Sequence, residues 1–210
     1  MSGSAAPASI DADALLAALA RWCDAMEAAG PELNELDARL GDGDLGATLA
    51  RCAANVRASL AGTPAVAPGA MLKACAQACA KASDSSFGTL LAVAFLAAAK
   101  AAGERERLER EAMVSMLDAA RETMSARGGA ALGDKTVLDS LAAVADALRH
   151  ATPDASAGQL RDVAVDAAAR AVDTLRARPN RIGRARMFGE RSVGLEDPGM
   201  VAALRMAQAL

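Results

Sequence analysis

The chain has 210 residues, a mass of 21.2 kDa and a formal net charge of −3, from 23 Lys and Arg against 26 Asp and Glu. Hydrophobic residues make up 53% of it but aromatic ones only 2%, and alanine alone fills 57 positions. A sheet-rich fold would need more β-branched and aromatic side chains, and a near-balanced charge gives no strong field to draw nucleic acid or a lipid surface. One all-helical domain is expected over residues 10–210, after a flexible tail at residues 1–9.

Apolar residues recur at three- and four-residue spacing, and no stretch alternates over a strand's length. The pattern predicts helices over residues 11–29, closed by Gly30-Pro31, then 32–40, 45–60, 70–81 and 87–102. A sixth helix starts in the charged run 104–111 and ends at Gly128-Gly129. The seventh covers about 134–150, and the eighth 156–178 with Asp154 or Ser156 as its cap. The glycine- and arginine-rich tail over 179–199 gives way to a last apolar helical pattern from Met200. The greasiest stretch, residues 90–99, is closed by Lys100, so no membrane span is expected. The first nine residues lack the basic and apolar regions of a secretory signal, which points to the cytoplasm. Cys23, Cys52, Cys75 and Cys79 lack zinc-site spacing and read as reduced, buried residues; His150, the one histidine, reads as solvent-facing.

The densest chemistry lies in Leu36-Asp37-Ala38-Arg39-Leu40-Gly41-Asp42-Gly43-Asp44-Leu45-Gly46. Glycines beside Asp42 and Asp44 let the backbone turn sharply and bring both toward Asp37. Three convergent carboxylates repel one another unless a hard cation neutralises them, and oxygen clusters suit Mg²⁺ or Ca²⁺. An EF-hand is excluded, because a loop starting at Asp42 would put Ala53, not Glu, at its twelfth position. The other reading is a solvated acidic turn in which Asp44 caps the next helix. A helix starting at Leu45 would also aim free amides and its positive end at phosphate oxygens.

Three further segments bear on this. Ser83, Ser85 and Ser86, ahead of Phe87-Gly88-Thr89, make either a second phosphate cradle or a capping loop. Gly133-Asp134-Lys135-Thr136 is not a P-loop, since Asp134 separates glycine from lysine; it reads as a helix-to-helix turn capped by Asp134. The segment from Gly183-Arg184 to Asp197-Pro198-Gly199 is long for a plain connection and suits closure over a ligand, with Arg184 able to meet a phosphate.

In this order and spacing, the four segments resemble the L subunit of dihydroxyacetone kinase and the equivalent nucleotide-binding domain of its single-chain relatives. The resemblance implies a barrel of eight antiparallel helices with ATP or ADP and two Mg²⁺ ions at one end. Asp37, Asp42 and Asp44 would ligate the metals, and Leu45, Gly46 and Thr48 would lie along the phosphates. Ala82 and Ser83 would make a second phosphate contact, Gly128 and Val137 would border the nucleotide, and Arg184, Asp197, Pro198 and Gly199 would close the lid. No catalytic side chain is expected, because phosphoryl transfer asks mainly for positioning and charge neutralisation. The hydroxyketone would sit on a separate, K-type subunit, and the phosphoryl group would come from ATP or from a phosphotransferase-system protein that recharges fixed ADP. A non-catalytic nucleotide-binding module that docks on a transcription factor is the alternative. Two positions depart from the family pattern. Leu45 replaces a more usual His or Thr, and Lys81-Ala82-Ser83-Asp84 stands where Gly-Gly-x-Ser-Gly is common, which points to a divergent branch with a different hydroxyketone or sugar.

Overall fold

The computed structural model describes residues 8–62, 66–82 and 85–210. Nine α-helices are found among them: α1 (Ala12–Ala28), α2 (Gly30–Leu40), α3 (Leu45–Leu60), α4 (Pro68–Ala82), α5 (Ser86–Ala102), α6 (Arg110–Gly128), α7 (Val137–Arg149), α8 (Ala157–Arg176) and α9 (Pro198–Gln208). A 3-10 segment, Arg184–Ser192, lies in the tail. No helix among the described residues is long and apolar enough to cross a membrane.

Local chemistry sets most of the boundaries. Asp11 caps α1 by accepting from Ala14 N, and Ser156 with Gln159 forms a reciprocal capping box on α8. Gly129, at φ 73°, ends α6 in the left-handed conformation that its missing Cβ permits. Two boundaries correct the sequence reading. Thr136, not Asp134, caps α7, and Asp139 completes that capping box. Helix α6 begins at Arg110 because Arg107–Glu109 pairs antiparallel with Ser9–Asp11 as a two-stranded sheet, β2 on β1. Three-residue strands are too short for alternation to register, and the sheet begins at Ser9, inside the expected tail.

The helices α3 to α8 pack in chain order, α9 returns against α7 and α8, and α1 and α2 each bridge α3 to α9, which closes the ring. Its core holds fully buried Met26, Leu33, Leu49, Val56 and Met200, and the four cysteines are free and buried. Burying each such large side chain stabilises the fold by about 1.5–3 kcal/mol. Trp22 of α1 meets Phe95 of α5 edge-to-face at 5.6 Å and 87°. Small residues allow close crossings, as at Gly46 of α3, which seats directly under the Gly30 carbonyl of α2.

One end of the barrel gathers the chemistry. There Gly199 at the start of α9 approaches Phe87 of α5 and Val137 at the start of α7, while Gly128 at the end of α6 lies beside Leu90 of α5. The last residue of α8, Arg176, pairs with Glu196 at the same end. The positive ends of α5, α7 and α9 therefore converge, a field that favours anions.

Candidate functional site

The turn between α2 and α3 builds the acidic cluster. Gly43 holds φ 77°, and a Cβ there would lie 3.1 Å from that of Ala38, so only glycine folds the turn this tightly. The result places carboxylate oxygens of Asp37, Asp42 and Asp44 all within 4.8 Å of one another, in the arrangement that suits a hard cation. Asp37 is half-buried in α2, and its Oδ2 accepts from Asp44 N at 2.9 Å and Leu45 N at 3.3 Å. Burial raises its carboxyl pKa, helped by the Asp42 and Asp44 charges, against those two hydrogen bonds.

The capping role expected of Asp44 in the acidic-turn reading is not found. Its side chain makes no cap on α3, which leaves that carboxylate for the cluster. The expectation of free amides at the start of α3 is corrected at Asp44, Leu45 and Ala47. Asp37 takes the amides of Asp44 and Leu45, and Asn34 Oδ1 takes that of Ala47 at 3.1 Å. Helix α2 thus satisfies three of the four amides at the start of α3, those of Asp44, Leu45 and Ala47, because the two helices cross closely over Gly46.

A cationic arm reaches the cluster from the far end of the chain: Arg184 Nη1 donates to Asp42 Oδ2. The base of that arm is a buried polar network. Asn180 Nδ2 donates to Lys135 O at 3.0 Å and to Asp197 Oδ2 at 2.8 Å, and Asn180 N donates to Ser192 Oγ at 2.8 Å. Asp197 also caps α9 by accepting from Met200 N. Burial pushes its carboxyl up to about 6, opposed by those hydrogen bonds and by the Lys135 charge. Lys135 is 1% exposed, and burial lowers its ammonium pKa against the pull of Asp197.

Three comparisons set the chain among known proteins. The family model described as "DAK2 domain" matches residues 39–210. The chain belongs to the DAK2 domain family. The ADP-binding subunit DhaL of the PEP-dependent dihydroxyacetone kinase of Escherichia coli K12 is 30% identical over 199 residues, covering 91% of this chain and 92% of that protein. Human triokinase/FMN cyclase is 31% identical over 194 residues, but the chain spans only 33% of its length. The L-erythrulose 1-kinase of Mycolicibacterium smegmatis is 33% identical over 182 residues and is matched over 32% of its length. Among solved structures, the native dihydroxyacetone kinase of C. freundii superposes with a TM-score of 0.73 at 23% identity, over 100% of this chain and 36% of that one. Its complex with AMP-PNP and Mg²⁺ gives 0.72 at 22% identity. These two structures share the fold, an all-helical barrel.

Within this DAK2 domain, the remaining expected site residues fall into three groups. Val137, Pro198 and Gly199 line the same end of the barrel as Asp197, and Gly128 closes α6 nearby. Leu45, Gly46 and Thr48 stand behind the acidic turn: Leu45 packs in the core, and the fully buried Thr48 hydroxyl accepts from Arg51 Nη2 at 3.2 Å. Ala82 ends α4, while Ser83 lies outside the described residues. Ser85 caps α5 by accepting from Gly88 N. Asn34, Asn180 and Ser192 escaped the sequence reading, since each is a lone polar residue with a partner twelve or more positions away along the chain. His150 is exposed and far from the cluster in its contacts, bonding only within α7.

Proposed function

We propose that this DAK2 domain is the Mg-nucleotide subunit of a hydroxyketone kinase, working with a K-type subunit that holds the substrate. The observation that carries the reading is the convergence of Asp37, Asp42 and Asp44 within 4.8 Å beside Arg184, at the barrel end where helix N-termini gather. The donor set fits the group: three carboxylates cannot share so small a space unless positive charge compensates them, and in this structure Arg184 supplies part of it. A bound divalent cation would neutralise the polyphosphate and polarise the phosphoryl group that is transferred. The chain's own residues position and hold. Two backbone amides fix Asp37, the Gly43 turn aims Asp42 and Asp44 at the same point, and Arg184 offers a planar fork to phosphate oxygens. The starts of α5, α7 and α9 add their partial positive charges. Phosphoryl transfer through such a site needs no protein nucleophile in this chain.

Support for the nucleotide comes from the E. coli relative of matching length, which is named an ADP-binding subunit, and from the C. freundii complex with AMP-PNP and Mg²⁺. That relative is also named PEP-dependent, which favours ADP kept as a cofactor and recharged by a phosphotransferase-system protein. The test is calorimetry of ADP with the purified chain. Binding with Mg²⁺ and none in excess EDTA is expected, and equal affinity in EDTA overturns the metal assignment. Turnover of dihydroxyacetone or erythrulose should appear only when a K-type subunit is added, and robust turnover by the chain alone would refute the divided enzyme.

A further inference from the structure

Lys135 is the one non-glycine residue with positive φ among the described residues, at 63°, and a long cationic side chain is an unusual choice for a wholly buried position. It touches no carboxylate directly. Its Nζ donates to Arg178 O at 2.9 Å and Ser192 O at 2.9 Å, with Arg176 O at 3.5 Å. The three protons of an ammonium are thereby all directed at carbonyls from the end of α8 and the end of the 3-10 segment. Those two ends bracket the arm that carries Arg184. The backbone around Lys135 holds the same arm, since Asn180 Nδ2 donates to Lys135 O and Arg181 N donates to Asp134 O at 3.2 Å.

An apolar side chain would fill this space without the cost of burying a charge. The lysine differs from such a filler in one respect: it draws two chain segments onto a single atom. A loop whose ends are fastened has fewer conformations to lose when its tip engages a target. We propose that Lys135 is a positioning residue, whose ammonium clips the two ends of the 178–192 arm together so that Arg184 is presented to the acidic cluster and to the phosphates bound there. This rests on the reading of the cluster as a Mg-nucleotide site.

The test uses the full chain with Lys135→Met, and with Lys135→Gln as a milder variant that keeps two of the three donor hydrogens without the charge. Hydrogen exchange without ligand should quicken across residues 178–192 and stay unchanged in α3 to α6. ADP binding in Mg²⁺ should weaken about ten- to hundredfold in Lys135→Met and less in Lys135→Gln, the scale of lost hydrogen bonds to a charged donor. In an Arg184→Ala background, Lys135→Met should weaken ADP binding little further, because the clip acts through that arginine. Equal, additive losses in the two backgrounds would overturn the proposal. So would faster exchange throughout the barrel, or failure of both variants to fold, since either makes Lys135 a support of the whole domain. If the wild-type chain itself binds no Mg-ADP, the nucleotide reading fails, while the exchange measured without ligand still decides whether the clip exists.

Discussion

Arg184 donates to Asp42 across a sequence separation of 142 residues, so the tail of the chain meets the turn after α2. If the cluster takes a cation, as proposed, this guanidinium competes with it for the Asp42 carboxylate. The pair is open to water, with 61% of the Arg184 and 41% of the Asp42 side chain exposed, so its own contribution is small, about 0.2–1 kcal/mol. Replacing Arg184 by Ala should therefore tighten Mn²⁺ binding in the absence of nucleotide by about two- to fivefold, read by electron paramagnetic resonance. The same change should weaken Mg-ADP binding. Opposite signs for the two ligands are the expected outcome, and a loss of both would show that the arginine does not compete with the metal.

Asp42→Asn tests the cluster from the other side. The substitution keeps the shape of the turn but removes a charge from the three-carboxylate set. Nucleotide affinity in Mg²⁺ should fall by at least about tenfold, the scale of lost metal-site interactions, while the melting temperature holds or rises as like-charge repulsion is relieved. Calorimetry and a thermal melt on the same sample check both.

Asp197 gives the site a pH signature. Its carboxyl is raised from an ordinary 3.8 to about 6, so the folded state prefers it protonated. The stability from that preference is complete below pH 3.8 and is lost as pH rises through about 6. Asp197→Asn keeps an acceptor for Met200 N and cannot titrate. Relative to wild type, the variant should gain about 2 kcal/mol between pH 4 and pH 7, allowing for partial solvent screening. Urea midpoints at the two pH values measure the difference, and a constant gap would show that Asp197 does not titrate in this window.

Gly46→Ala probes the crossing of α2 and α3. A Cβ there would overlap the Gly30 carbonyl and lie 2.8 Å from Asn34 Oδ1, and both neighbours are held in helix α2. The loss of stability should be about 1–3 kcal/mol or more, with weaker cation binding because α2 carries Asp37. Gly158→Ala in the first turn of α8 is the control, since nothing lies within 4 Å of its new methyl group. It should be neutral or raise stability by up to about 1 kcal/mol in a urea titration.

Much of this protein is local in origin and was legible in the sequence. Helical periodicity placed α3 from Leu45 to Leu60 and the ends of α2 and α5, because amphipathic spacing and caps act within a few residues. The acidic turn was visible for the same reason: Asp37, Asp42 and Asp44 lie within eight positions, and glycines between them determine the backbone. What happens to the start of α3 was not visible. Three of the four amides that this helix beginning offers, those of Asp44, Leu45 and Ala47, are taken by Asp37 and Asn34, and that depends on how closely α2 crosses α3 over Gly46.

The tail shows the same division more sharply. By itself the sequence marked residues 179–199 as a ligand-closing segment rich in glycine and arginine, with few large apolar residues to hold it. Only the tertiary structure decided how it is held. Lys135 comes from the turn before α7 and Asn180, Ser192 and Asp197 from the tail itself, and each is buried or half-buried with a partner far from it along the chain. A polar group taken from water must find its partner wherever the fold brings one. Sequence spacing therefore revealed the carboxylates, which a single turn assembles, and left the network that presents Arg184 to be found in three dimensions.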